Sequence, residues 1–190
     1  MTCIVGLEHE GTIYIGGDSA GVEESSFSIC TRADEKVFLT DGEEMIVGFS
    51  GSFRIGQLLR YALTLPAQKV GQEDMAYLVT DFIDAVRTMQ KDKGSMKKEN
   101  ELEEHSAAFV VGFNRKLYVI EADFQVGQPL ENYTAVGCGA DIALGAMYAT
   151  RNAEMDPEER IQLALSASAE YSAGVRGPFK VIKLEVVEEE

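Results

Sequence analysis

A threonine at position 2, an aspartate at 18, a lysine at 36 and a glycine at 51 are the residues whose types and spacing could do chemistry in this chain. A small second residue permits removal of Met1, and removal would leave Thr2 with a free α-amine beside its own hydroxyl. An α-amine has an ordinary pKa of about 7.7–8.0, so near neutrality part of it is unprotonated and can accept the hydroxyl proton. A threonine hydroxyl is a weak nucleophile that needs such a base, and an N-terminal amine is a known way to supply one. The Lys36 ammonium would stabilise the alkoxide and repel a proton on the amine. Asp18 would hold Lys36 charged through a charge-assisted hydrogen bond. The Gly51 N–H could donate to the oxyanion of a tetrahedral intermediate, a contact worth about 2.7–4 kcal/mol of barrier.

The elements that must position these groups read as two hairpins. TCIVGLE and TIYIGGD flank the turn His9-Glu10-Gly11; with Glu8 opposite Thr12, outward counting sets Thr2 opposite Asp18. KVFLT and EEMIVGFS flank Asp41-Gly42; read as a two-residue turn, it sets Lys36 opposite Val47. All four candidates then lie toward open strand ends, where loops usually build sites. SFRIGQLLRYALTL reads as a helix ending at Pro66, and EDMAYLVTDFIDAVRTMQ puts Met75, Leu78, Val79, Phe82, Ile83 and Val86 on one helical face. The charged run from Lys91 to His105 has no apolar period and reads as a solvated loop or frayed helix end. AAFVVGF and KLYVIEA form a hairpin at Asn114-Arg115, and NYTAVGC is a further strand. ADIALGAMYAT is a small-residue helix, Asp156-Pro157 opens another, and FKVIKLEVV closes as a strand before a frayed EEE tail. Helix pairs that each cover their own sheet make an α+β four-layer α-β-β-α sandwich, expected as a single domain over 1–190.

Composition narrows the function classes. The chain has 190 residues, 45% hydrophobic and 26% charged, as in an ordinary globular protein. Seventeen basic against 32 acidic residues give a net charge of −15, which disfavours nucleic acid and anionic membranes as partners. No apolar stretch is long enough for a membrane span, and MTCIVGLEHEG lacks the regions of a secretory signal. Three cysteines without a CxxC pair fit free thiols in a reducing cytoplasm. With two histidines a multi-histidine metal site is ruled out, and Gly137–Gly139 lacks the later glycine of a dinucleotide fingerprint, so neither metal nor cofactor is expected.

Thr2-Cys-Ile-Val-Gly, Gly16-Gly17-Asp18-Ser19, Lys36-Val37, Gly48-Phe49-Ser50-Gly51 and Val136-Gly137-Cys138-Gly139 follow in an order that resembles proteasome β-type and HslV-like subunits over nearly the whole chain. The resemblance implies an N-terminal nucleophile (Ntn) hydrolase with Thr2 as nucleophile, Asp18 and Lys36 as the charged pair and Gly51 as oxyanion donor. It also implies a cytoplasmic homo-oligomeric ring that cleaves peptides or unfolded proteins in a chamber, with an AAA+ ATPase unfoldase as partner. Cys138 stands where the family usually carries a serine that positions the amine. Ser172 and Glu170 occupy the region where the family places further polar groups near the nucleophile.

Plainer readings stand beside these. Asp18 and Lys36 would serve equally as a structural ion pair, Gly51 as a strand cap, Cys138 as a small core residue, and His9 and His105 as solvated side chains. A retained Met1 would leave Thr2 without a free amine. The alternatives to a threonine endopeptidase are a non-proteolytic Ntn amidase or peptide ligase, and an inactive structural subunit.

Overall fold

The computed structural model describes residues 1–23, 25, 26, 28–99 and 102–185. β1 (Ile4–His9) and β2 (Thr12–Gly17) pair antiparallel at the centre of one sheet, with β12 (Tyr133–Val136) beside β1 and β13 (Lys180–Leu184) beside β2. The second sheet runs β11 (Val126–Gly127), β10 (Lys116–Ile120), β9 (Ala107–Phe113), β6 (Ile46–Gly51) and β5 (Val37–Leu39). Two small hairpins stand apart, β3 (Ala20–Glu23) with β4 (Ser28–Thr31), and β7 (Lys97–Glu99) with β8 (Leu102–Glu104).

Alternation of side chains along the strands gives each sheet two apolar faces. Ile4, Ile13 and Ile15 meet Val37, Ile46 and Val110 between the sheets. Cys3, Val5 and Leu7 point the other way, against Ala143 and Met147 of α4 (Ala140–Ala149) and Ile161 and Leu165 of α5 (Pro157–Tyr171). On the far side, Phe49, Val47 and Val111 pack on α1 (Phe53–Tyr61), α2 (Asp74–Tyr77) and α3 (Ile83–Asp92). The layers are therefore α-β-β-α, the four-layer sandwich expected from the sequence. The sheets approach closely: a Cβ on Gly48 would lie 2.6 Å from Ile4 Cγ2. Among the described residues no helix is long and apolar enough to cross a membrane.

Several local expectations are corrected. The first hairpin pairs His9 with Thr12 through a two-residue turn, Glu10 and Gly11, at φ 51° and 81°. Two successive positive φ values fit a type I′ turn, and the Glu8 carboxylate ties it by accepting from the Gly11 N–H at 2.8 Å. The one-residue change in register sets Cys3, and not Thr2, across from Asp18, whose N–H donates to the Cys3 carbonyl at 3.3 Å. In the second hairpin Thr40 N–H donates to the Met45 carbonyl, so the loop has four residues, and Lys36 lies opposite Phe49. That register change is by two and keeps every side chain on its expected face. Asn114-Arg115 forms the expected two-residue turn between Phe113 and Lys116.

α1 stops at Tyr61, short of Pro66. A π-helical turn over Leu78–Phe82 joins α2 to α3 and rotates the helical face. Tyr77 is consequently buried and Val79, expected in the core, is exposed. The charged run begins at the exposed end of α3 and continues as the β7–β8 hairpin where a loop was expected, with residues 100 and 101 outside the described set. His105 is not solvated: it is 3% exposed, between the rings of Phe109 and Phe124. His9 is exposed, as the last residue of β1. The EEE tail lies outside the described residues.

Candidate active site

Thr2 precedes β1 and Asp18 follows β2, so one hairpin delivers both to the same sheet end. Lys36 precedes β5, an edge strand of the other sheet, and its side chain crosses to them. Its Nζ donates to Thr2 Oγ1 at 2.9 Å and to Asp18 Oδ1 at 2.8 Å. Thr2, Asp18 and Lys36 are each at most 2% exposed. Asp18 is clamped further: its Oδ1 accepts from the Cys3 N–H at 3.0 Å, and its Oδ2 from Ala20 N–H at 2.9 Å and Arg176 N–H at 3.3 Å. A buried carboxylate with this many donors satisfies the requirement that a desolvated charge be paired and hydrogen-bonded. Burial lowers the Lys36 pKa below that of a free lysine, with Asp18 opposing the shift.

The Thr2 nitrogen faces the turn after β12. Its N–H donates to Cys138 Sγ at 3.3 Å, and Sγ lies 3.4 Å from Ser172 Oγ, at the C-terminal end of α5. The Thr2 carbonyl accepts from Gly139 N–H at 3.3 Å and from Cys138 Sγ at 3.5 Å. Gly137, at φ 99°, is fitted closely to this carbonyl: a Cβ there would be 2.2 Å from the Thr2 oxygen and 2.7 Å from Ser50 Oγ. Met1 precedes Thr2, its carbonyl accepting from the Thr2 hydroxyl and its side chain lying over Gly174. The Thr2 nitrogen is here an amide, and it becomes a base only when Met1 leaves.

Gly51 closes β6 at φ 97°, and a Cβ there would be 2.3 Å from the Ser106 carbonyl oxygen, so no other residue fits this turn without movement. Its exposed backbone lies two residues before Phe53, whose ring centroid is 5.6 Å from Lys36 Nζ. Chemically, the cluster presents a hydroxyl next to a cation, and a nitrogen held by a thiol that a second hydroxyl touches in turn.

Five of the six candidate residues from the sequence are joined by these contacts; Gly51 is linked to them only through its chain neighbours, Ser50 beside Gly137 and Phe53 near Lys36, and Glu170 is exposed on α5. Sequence reasoning missed the groups that hold them. Ser168, fully buried, donates to the Gly139 and Ala164 carbonyls at 2.9 and 3.0 Å and accepts from the Cys3 thiol at 3.6 Å, fixing the turn that carries Cys138. The Arg176 backbone reaches the site from a distant part of the chain with no local sequence signal, whereas the Gly137 turn lies in the Val136–Gly139 motif already singled out.

No family model matches this chain. It is 24% identical over 186 residues to the ATP-dependent protease subunit HslV of Caldicellulosiruptor saccharolyticus, covering 96% of this chain and 98% of the relative. Its fold is similar to that of Thiobacillus denitrificans BPH in complex with epoxomicin, at a TM-score of 0.78 and 20% identity, covering 98% of this chain and all of the other (100%). A second likeness is eukaryotic HslV from Trypanosoma brucei, at a TM-score of 0.68 and 18% identity, covering 97% and 100%. In sequence and in fold, the chain is similar to HslV along nearly its whole length.

Proposed function

We propose that the chain is a threonine-type peptidase that acts once Met1 is removed. The observation that carries the reading is the Lys36 ammonium, buried between Thr2 Oγ1 and Asp18 Oδ1 at 2.9 and 2.8 Å. In this reading the freed Thr2 amine takes the proton from Oγ1, and Oγ1 attacks the scissile carbonyl carbon. Lys36 stabilises the charge on Oγ1 and, by repulsion, keeps the amine unprotonated near neutrality. The Gly51 N–H receives the oxyanion. The C–N bond then breaks, the ammonium hands its proton to the leaving amine, and Thr2 carries the acyl group as an ester. The amine next deprotonates a water, which hydrolyses the ester and restores the hydroxyl. Cys138 and Ser172 hold the amine in line through these steps.

The relative's description as an ATP-dependent protease subunit supports a homo-oligomeric ring served by an AAA+ unfoldase, taking peptides or unfolded proteins in the cytoplasm. A second reading, an inactive structural subunit, is favoured by Cys138, whose thiol at the Thr2 nitrogen is a weaker hydrogen-bonding group than a hydroxyl. A small-amide hydrolase or ligase with the same fold would spare unfolded protein. The deciding experiment treats the purified chain with a threonine-reactive epoxyketone and maps the adduct by mass spectrometry. An adduct on a peptide that begins at Thr2, absent from Thr2→Ala, is expected; retained Met1 with no adduct sinks the peptidase reading.

A further inference from the structure

Beside Lys36 lies a cavity of about 320 Å3 lined by Val22, Glu23, Ile29, Cys30, Arg32 and Phe53. Its walls are continuous with the site. β3 begins two residues after Asp18, Arg32 stands four residues before Lys36, and Phe53 two after Gly51. The Phe53 ring centroid is 5.6 Å from the same Nζ that touches Thr2 Oγ1. On the threonine-peptidase reading, on which this inference rests, the cavity receives the side chain of the residue that supplies the scissile carbonyl.

Arg32 is held on three sides. Its stem lies over Gly21, where a Cβ would be 2.7 Å from Arg32 Cδ. Its guanidinium carbon sits 3.9 Å from the Phe53 ring centroid. Its Nε and Nη2 donate to the two oxygens of Asp34 at 2.7 and 2.6 Å, a bidentate fork that spends one edge of the cation. The pairing holds the Asp34 carboxyl below its usual range.

We propose that Asp34 sets the specificity of this cavity by neutralising Arg32, so that the pocket takes uncharged apolar side chains and refuses acidic ones. An acidic side chain entering it meets a guanidinium already engaged, with the Asp34 and Glu23 carboxylates nearby. An apolar one gains the surfaces of Val22, Ile29 and Phe53 at no electrostatic cost. Asp34→Asn withdraws the internal anion while Phe53 and Gly21 still hold Arg32 in place. An acidic side chain can then take the vacated charge.

The test uses the full chain, freed of Met1 as checked by intact mass, and two fluorogenic peptides that differ only in leucine or glutamate at the residue supplying the scissile carbonyl. In Asp34→Asn the glutamate-to-leucine ratio of kcat/KM should rise about tenfold, in keeping with one charge-assisted contact in a half-exposed setting. The double variant Arg32→Met/Asp34→Asn should lose that gain. Arg32→Met alone should move the ratio less than about threefold, because the charge it removes is already masked. An unchanged ratio in Asp34→Asn, with the leucine peptide still cut through Thr2, overturns the specificity proposal and leaves the peptidase reading standing. A tenfold fall in Arg32→Met also overturns it, since Arg32 would then be attracting acids in the native chain. If neither peptide is cut and Thr2 takes no adduct, the peptidase reading fails and this proposal with it.

Discussion

Lys36 Nζ lies 2.8 Å from Asp18 Oδ1, and neither side chain is more than 1% exposed. Breaking a buried pair on one side leaves an uncompensated charge and costs about 3–5 kcal/mol, whereas replacing both partners by neutral groups costs less. Three backbone N–H groups still serve Asp18 when Lys36 is gone, which puts the loss toward the low end. Lys36→Met should therefore lose about 3 kcal/mol and all peptide hydrolysis. Lys36→Met/Asp18→Asn should recover part of the stability and none of the hydrolysis. Urea unfolding paired with a peptide assay separates the two effects; full native stability in Lys36→Met would show that Asp18 does not depend on its partner.

The depressed pKa of Lys36 gives this pair a pH signature. Burial lowers it below the ordinary value near 10.4, so the folded chain releases this proton before the unfolded chain does. Between the two pKa values the unfolded state binds more protons, and the contribution of Lys36 to stability rises with pH. Activity moves the other way, because the neutral amine no longer stabilises the charge on Thr2 Oγ1. The alkaline limb of kcat/KM should accordingly fall below pH 10.4, while wild type gains stability relative to Lys36→Met over the same interval. A limb at or above the free-lysine value would remove Lys36 from the reaction.

His105 carries the same dependence, stability rising with pH, into the acid range. Burial lowers its pKa from 6.5 to about 4, outweighing the Glu121 backbone and the Asp123 charge, which act to raise it. The unfolded chain protonates first as pH falls, so stability is intact above 6.5 and is lost on descent toward 4. The loss approaches about 3 kcal/mol at the acid end of that window, at roughly 1.4 kcal/mol per unit. His105→Phe, which keeps a ring between Phe109 and Phe124, should flatten that slope in thermal melts run from neutral to acid pH. An identical slope would mean that the carboxylates alone govern acid unfolding.

Thr2, Asp18, Lys36 and Gly51 were legible because each flanks or closes a strand of a short hairpin, and hairpin ends can be found by counting. The counts themselves erred where the backbone entered the left-handed region at Glu10 and Glu43, residues that do not advertise it. An error of two in the second hairpin was harmless, since side-chain direction repeats every two residues. Val79 was misplaced because the π turn inserts a rotation that no periodic count contains. Ser168 and the Arg176 N–H could not be read at all, because their roles exist only after α5 and the last loop fold back onto β1.

Cys138 offers the sharpest test of how the nucleophile is held. Its sulfur accepts from the Thr2 nitrogen at 3.3 Å and is itself within 3.4 Å of Ser172 Oγ. Thiols are weaker hydrogen-bonding groups than hydroxyls, so the contact orients the nitrogen without binding it tightly. Cys138→Ser keeps a donor and acceptor in the same turn and should hold kcat within about threefold, whereas Cys138→Ala should lower kcat about tenfold, the upper range for one neutral hydrogen bond. KM should change little in either, because the thiol touches the nucleophile and not the cavity beside Phe53. A packing role would give another pattern: serine, smaller and more polar than cysteine, would fail together with alanine, and unfolding midpoints would fall in step with activity. Equal activity in all three proteins would place the alignment of the amine on Ser172 and the Gly139 turn instead.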